Sequence, residues 1–199
     1  MIKKITNLTE ERSYFKPFNY PWAYEAWLKH EQSHWLHTEV PMLEDVKDWK
    51  TKLSKEEKHF LTQIFRFFTQ GDIDVAGGYV KNYLPYFQQP EIRMMLLGFA
   101  AREALHVAAY SHLIETLGLP ETTYNEFMEY AEMKEKHEYI MDISSRNGDT
   151  ASTATHIAVF SAFTEGMQLF SSFIMLLNFP RHGKMKGDRK STRLNSSHI

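Results

Sequence analysis

Leu96-Leu97-Gly98-Phe99-Ala100-Ala101-Arg102-Glu103-Ala104-Leu105-His106-Val107-Ala108-Ala109-Tyr110 decides the fold class. Small and apolar residues surround one carboxylate and one imidazole, with no alternation of period two. Pro90 stands at a helix start, and Gly118 with Pro120 at a helix stop, so the spacing predicts a helix over 91–117. Glu103 and His106 are three residues apart and share one face of that helix. Small neighbours mean that this face packs closely against something. A buried carboxylate is costly without a partner, so the face needs either a hydrogen-bond set or a cation.

Working outward, the same signals recur. Pro21 suits a first helical position, and a helix is expected over 21–36, after a loosely packed arm over 1–20. Residues 40–52 read as a connection with a turn. Ser54-Lys55-Glu56-Glu57 is a capping box that opens a helix carrying Phe60, Leu61, Ile64, Phe65 and Phe68, expected to reach Leu84. Residues 121–144 read as one charged, exposed helix. Arg146 to Asp149 reads as a turn, and Thr150 or Ser152 as the cap of a long apolar helix ending near 178–180. There is no convincing strand pattern and no internal repeat. Long helices with short loops predict an all-α bundle.

Composition removes several classes. The chain has 199 residues, 43% of them hydrophobic, which fits one domain with a sizeable core. It has no cysteine, which excludes disulfides, thiolate zinc or iron–sulfur sites and a thiol nucleophile. A formal net charge of −2 gives no pull toward nucleic acid or anionic lipid. The first sixteen residues hold no secretory h-region. Ile157 to Phe179 is long and apolar enough to span a membrane, but Glu165 and Gln168 lie near its middle. The expectation is a fully buried helix of a soluble, cytoplasmic protein.

The chain contains three Glu-x-x-His pairs: Glu31–His34, Glu56–His59 and Glu103–His106. The first reads as part of a surface histidine cluster, the second as a solvated first turn. Only Glu103–His106 lies in apolar surroundings. Two further acidic positions share that setting. Glu165 has no Lys or Arg within two turns, so a metal or a basic residue from another helix must neutralise it. Asp72 and Asp74 lie in the glycine-rich part of the aromatic helix. Oxygen ligands with some imidazole suit iron or manganese. Tyr110 is one turn beyond His106 on the same face. Satisfied buried hydrogen bonds and an ordinary core tyrosine are the alternatives.

Taken together, the pattern resembles the radical-generating small subunit of class I ribonucleotide reductase, a ferritin-like helical family. Thr69-Gln-Gly-Asp72 stands thirty-one residues before Glu103, followed by His106 and Tyr110, and Arg102 to His112 is close to the family's signature. Glu165-Gly-Met-Gln-Leu-Phe-Ser-Ser-Phe173 matches a later ligand helix, although Leu169 stands where many members have Phe. Trp35-Leu-His-Thr-Glu-Val40 is similar to the segment carrying the tryptophan of the electron-transfer chain. The resemblance, covering residues 17–187, implies Asp72 (rather than Asp74), Glu103, His106 and Glu165 as metal ligands and Tyr110 as the radical site. Phe173 would shield the radical, and Trp35 would carry the electron. It also implies a dinuclear iron or manganese cofactor, O₂ for activation, a large-subunit partner and a homodimer, with no role for nucleic acid or membrane.

Two features depart from the family. Residues 188–198 read as an in-frame translation of a common sequencing-library adapter, so 188–199 is expected to be a non-native tail and 1–187 the helical domain. The family's second Glu-x-x-His and its docking tail have no counterpart here. The chain then supplies four of six ligands and is expected not to generate a radical by itself. Another ferritin-like carboxylate oxidase or iron store, or a metal-free structural bundle, are the rival readings.

Overall fold

Ser54 opens the helix around which the others are arranged. Its Oγ accepts from the Glu57 amide, and the Glu57 carboxylate accepts from the Ser54 amide, the reciprocal pair of a capping box. The computed structural model describes residues 7–145 and 149–186, and among these there is no strand. Helix α1 is Pro21–Gln32, α2 is Leu43–Thr51 and α3 is Lys55–Gly78. The chain continues from α3 through a wide π-type stretch, Tyr79–Tyr83, into the short α4, Leu84–Tyr86. Helix α5, Pro90–Thr116, follows after three residues and folds back against α3, its principal partner. Then come α6, Thr122–Asn125, a 3-10 turn, Glu126–Glu129, and α7, Ala131–Ser145. The last helix is continuous over Thr150–Arg181: α8, Thr150–Val159, a π-type stretch, Phe160–Leu169, and α9, Phe170–Arg181.

The main core lies between α2, α3, α5 and α9, and is built on Phe65, Phe68, Leu61, Leu113, Ile114 and Leu176. It seats the acidic face of α5 against α3, and so fixes the height at which their side chains meet.

Five local expectations change. Residues 40–52 hold a helix, α2, because Met42, Val46, Trp49 and Leu53 recur at helical spacing and put Trp49 into the core. The charged segment 121–144 is not one helix: Tyr130 has extended backbone (φ −94°, ψ 118°) and breaks it after the 3-10 turn. Helix α1 stops at Gln32, four residues early, where Ser33 leaves helical geometry. Asp149, rather than Thr150 or Ser152, caps the last helix by accepting from the Ser152 amide. Over its described residues, 7–20, the arm before α1 is not loose. Arg12 is buried and pairs with Glu91 at 2.5 Å, and Glu91 also accepts from the Asn19 and Tyr20 amides.

The last helix departs most from expectation. It is long and apolar enough to cross a membrane by length and composition, yet only 22% of its most apolar window is buried. Phe163, Met167, Phe170 and Ile174 are each about half exposed. Their 4-3-4 spacing forms a stripe, bordered by α7 at Phe163 and Met167 and left half open to solvent. The turn at 146–148 and the boundary at 187 with its tail lie outside the described residues.

Candidate metal centre

Three helices deliver the acidic residues. Asp72 projects from α3, Glu103 and His106 from consecutive turns of α5, and Glu165 from the π-type stretch of the last helix. Asp72, Glu103 and His106 form a cluster whose ligand-type atoms all lie within 4.8 Å of one another. His106 Nδ1 is 2.9 Å from Glu103 Oε2 and 3.8 Å from Asp72 Oδ2. Side-chain exposure is 4% for Asp72, 7% for His106 and 13% for Glu103, so solvent screens the cluster poorly.

Glu165 stands outside that triple. It shares with Glu103 a cavity of about 300 Å³, lined also by His30, Tyr79, Phe99, Ser161 and Gly166. The Tyr79 hydroxyl donates to Glu165 Oε1 at 3.3 Å. Burial, and then the charge of Glu103, push the Glu165 carboxyl up to about 7, while the Tyr79 hydrogen bond acts the other way. Burial first, then Glu103 and Glu165, hold the Asp72 carboxyl well above the usual range. No Lys or Arg forms an ion pair with Asp72, Glu103 or Glu165 among the described residues. One buried and two half-buried carboxylates without a cationic side chain, with an imidazole nitrogen close by, suit an oxygen-seeking cation that tolerates nitrogen. Iron and manganese meet that requirement.

The backbone at Glu165 is itself unusual. A π-type stretch shifts side-chain register relative to an α-helix and is frequent at functional sites. A Cβ on Gly166 would lie 2.9 Å from the Ser161 carbonyl oxygen, a distance no side chain tolerates. Glycine at 166 thus permits the winding that carries Glu165.

The aromatic residues fall on both sides of α5. Tyr110 is buried one turn beyond His106 and stacks on Phe68 at 4.8 Å, with an interplanar angle of 16°. Phe68 stacks in turn on Phe173 at 4.8 Å. Leu169 is half-buried against this core. Trp35 is 3% exposed and lies nearly parallel to the His106 ring at 6.2 Å. Its indole nitrogen has no acceptor among the described residues.

The other candidates turn elsewhere. Asp74 meets His137 Nδ1 at 2.7 Å and accepts from Gln70, joining α3 to α7. Glu56 accepts from the Ser54 hydroxyl, and His34 is exposed. Sequence reasoning passed over Tyr79 and the Arg102–His30 pair, in which Arg102 Nε donates to His30 Nε2 at 3.2 Å. A signal existed for Tyr79: it is seven residues after Asp72, two turns along the same helix.

A helical bundle with a buried carboxylate–imidazole cluster at the meeting of its long helices defines a metal-carboxylate protein of ferritin-like architecture. The family model "Ribonucleotide reductase, small chain" matches residues 12–197, and the chain belongs to that family. It is 54% identical over 193 residues to the probable ribonucleoside-diphosphate reductase small subunit of Invertebrate iridescent virus 6, covering 91% of this chain and 54% of that protein. Its fold is similar to the ribonucleotide reductase R2 subunit from Clostridium botulinum, with TM-score 0.82 and 20% identity over 90% of this chain and 57% of that one. It is also similar to the dimanganese(II)-NrdF of Streptococcus sanguinis, with TM-score 0.73 and 21% identity over 93% and 68%. The chain spans about half the length of the curated relatives it matches.

Proposed function

We propose that this chain is the metal-bearing part of a ribonucleoside-diphosphate reductase small subunit, whose complete form oxidises Tyr110 for the reduction of ribonucleotides to deoxyribonucleotides. The observation that carries this reading is the convergence of Asp72, Glu103 and His106 in a buried pocket, with Tyr110 one turn away on the same helix. Family membership supports the same reading.

Asp72, Glu103 and His106 would hold one metal ion, and Glu165 would serve a second, with Glu103 shared. A dinuclear iron or manganese centre supplies the oxidising power when it reacts with O₂. The chain's own residues do the rest. Phe68 and Phe173 pack in sequence behind the Tyr110 ring and keep water from it. Trp35, stacked on His106, offers a path for an electron between the centre and a large-subunit partner. The working assembly is a soluble, cytoplasmic homodimer bound to that large subunit.

The test extends residues 1–187 with the remaining chain of the iridescent virus 6 relative. Given Fe²⁺ and O₂, this chimera is expected to show a tyrosyl electron paramagnetic resonance signal. Tyr110→Phe should abolish the signal and leave bound iron unchanged. A Tyr110→Phe chimera that still reduces ribonucleotides would refute the assignment.

A further inference from the structure

Both wide turns of this fold meet at one hydrogen bond. Tyr79 is the first residue of the stretch Tyr79–Tyr83, Glu165 lies in the stretch Phe160–Leu169, and the Tyr79 hydroxyl reaches Glu165 Oε1 at 3.3 Å. The two stretches approach closely beside it: a Cβ on Gly78 would be 3.5 Å from the Phe160 ring. A π-type turn re-aims the side chains that follow it. Here the phenol at the head of one such stretch meets the carboxylate carried within the other, in the cavity that Glu103 also lines.

We propose that Tyr79 is a positioning residue for Glu165, holding Oε1 by a hydrogen bond so that Oε2 is the oxygen presented to a divalent cation shared with Glu103. This rests on the metal-centre reading above. The reason is geometric. A glutamate has three side-chain torsions, and neither Ser161 nor Gly166, its neighbours in the cavity, fixes any of them by a hydrogen bond. Tyr79 is the one hydrogen-bond partner that Glu165 has among the described residues. The phenol is in turn wedged by ring contacts with Tyr83 at 5.6 Å and Phe99 at 6.1 Å, so its hydroxyl is held in place. A ligand held by an outer partner binds more tightly than a free one, and losing such a partner typically costs about 10–100-fold in metal affinity.

Tyr83 provides a matched control. It is buried, adjacent and phenolic, but its hydroxyl has no hydrogen-bond partner among the described residues. Metal-free chain of residues 1–199 is titrated with Mn²⁺, and free Mn²⁺ is read by electron paramagnetic resonance. Tyr79→Phe is expected to weaken uptake of the Mn²⁺ equivalent that Glu165 serves at least about 10-fold, with the equivalent held by Asp72, Glu103 and His106 and the melting temperature of the metal-free protein unchanged, and Tyr83→Phe is expected to leave both equivalents as they were. Glu165→Gln should weaken binding too, and Tyr79→Phe added to it should cost nothing more, because the phenol acts only through that carboxylate. A Tyr79→Phe affinity equal to that of the unaltered chain overturns the proposal and leaves the metal centre standing. Additive losses in the double variant, or a lowered melting temperature with unchanged affinity, overturn it in favour of a packing role. An unaltered chain that takes up no Mn²⁺ overturns the metal-centre reading and this inference with it.

Discussion

Replacing Glu165 with glutamine should stabilise the metal-free protein, increasingly as pH rises from about 4.5 to about 7. Glutamine keeps the shape of the side chain and an oxygen that can accept from Tyr79, but removes a charge that faces Glu103 and Asp72. In the folded chain burial and Glu103 push the Glu165 carboxyl up to about 7, from 4.5 for the free group. Because the folded value is the higher one, the folded state binds the proton more tightly than the unfolded state. The stabilisation this brings is fully present below about pH 4.5 and is lost as pH rises through about 7. At about 1.4 kcal/mol per pKa unit, the shift corresponds to about 3 kcal/mol, which partial solvent access reduces to about 2. For a chain of this size, that is a melting-temperature change of about 4–8 °C. Melts in chelator at pH 4 and pH 8 should show Glu165→Gln gaining on the unaltered protein only at the higher pH. A residual slope from Asp72 should remain in both. Excess Mn²⁺ should reverse the order at pH 8, since the unaltered chain then has a cation to share. Equal melting temperatures at pH 8 without metal would refute the like-charge account of this pocket.

Three further outcomes follow from the packing. Gly166→Ala should destabilise the fold by about 1–3 kcal/mol in urea unfolding, because its methyl group meets the Ser161 carbonyl. Arg12→Ala should cost about 3–5 kcal/mol in the same assay, since it strands Glu91, which is 0% exposed, in the interior. Tyr110→Phe in the 199-residue chain should leave Mn²⁺ uptake unchanged by metal analysis, because the ring that stacks on Phe68 is retained.

The sequence revealed what depends on local signals. The capping box at Ser54, Pro90 and the Gly118 stop place the start of α3 and both ends of α5 within a residue or two, while the expected run of α3 to Leu84 passes at Gly78 into a wide π-type stretch; apolar surroundings separate Glu103–His106 from the two solvated Glu-x-x-His pairs. What escaped was non-local or covered by a stronger cue. Pro41 and polar neighbours masked the 4-3-4 spacing of α2, and Tyr130 breaks 121–144 through backbone geometry that composition does not encode. From residue 7 on, the arm before α1 has no periodicity because it is held by the buried Arg12–Glu91 ion pair and by hydrogen bonds to Glu91 and Gln89 rather than by a stripe of apolar residues. The π-type turns are the hardest case. They have the residue types of an α-helix, and Gly166 beside Glu165 was their one mark in the sequence.

Those wide turns make the centre sensitive to chain length more than to residue type. A π-type stretch holds more residues per turn than an α-helix, so deleting one residue in 160–169 would let the segment rewind toward plain α-helix, with the flanking helices nearly in place and the side chains inside the stretch re-aimed. Helical content would be unchanged by circular dichroism and Phe173 would stay on Phe68, yet the carboxylate of Glu165 would swing away from its phenol. Substitutions in this stretch act one side chain at a time, whereas a single-codon deletion acts on every side chain of the wide turn at once, like a slipped gear tooth.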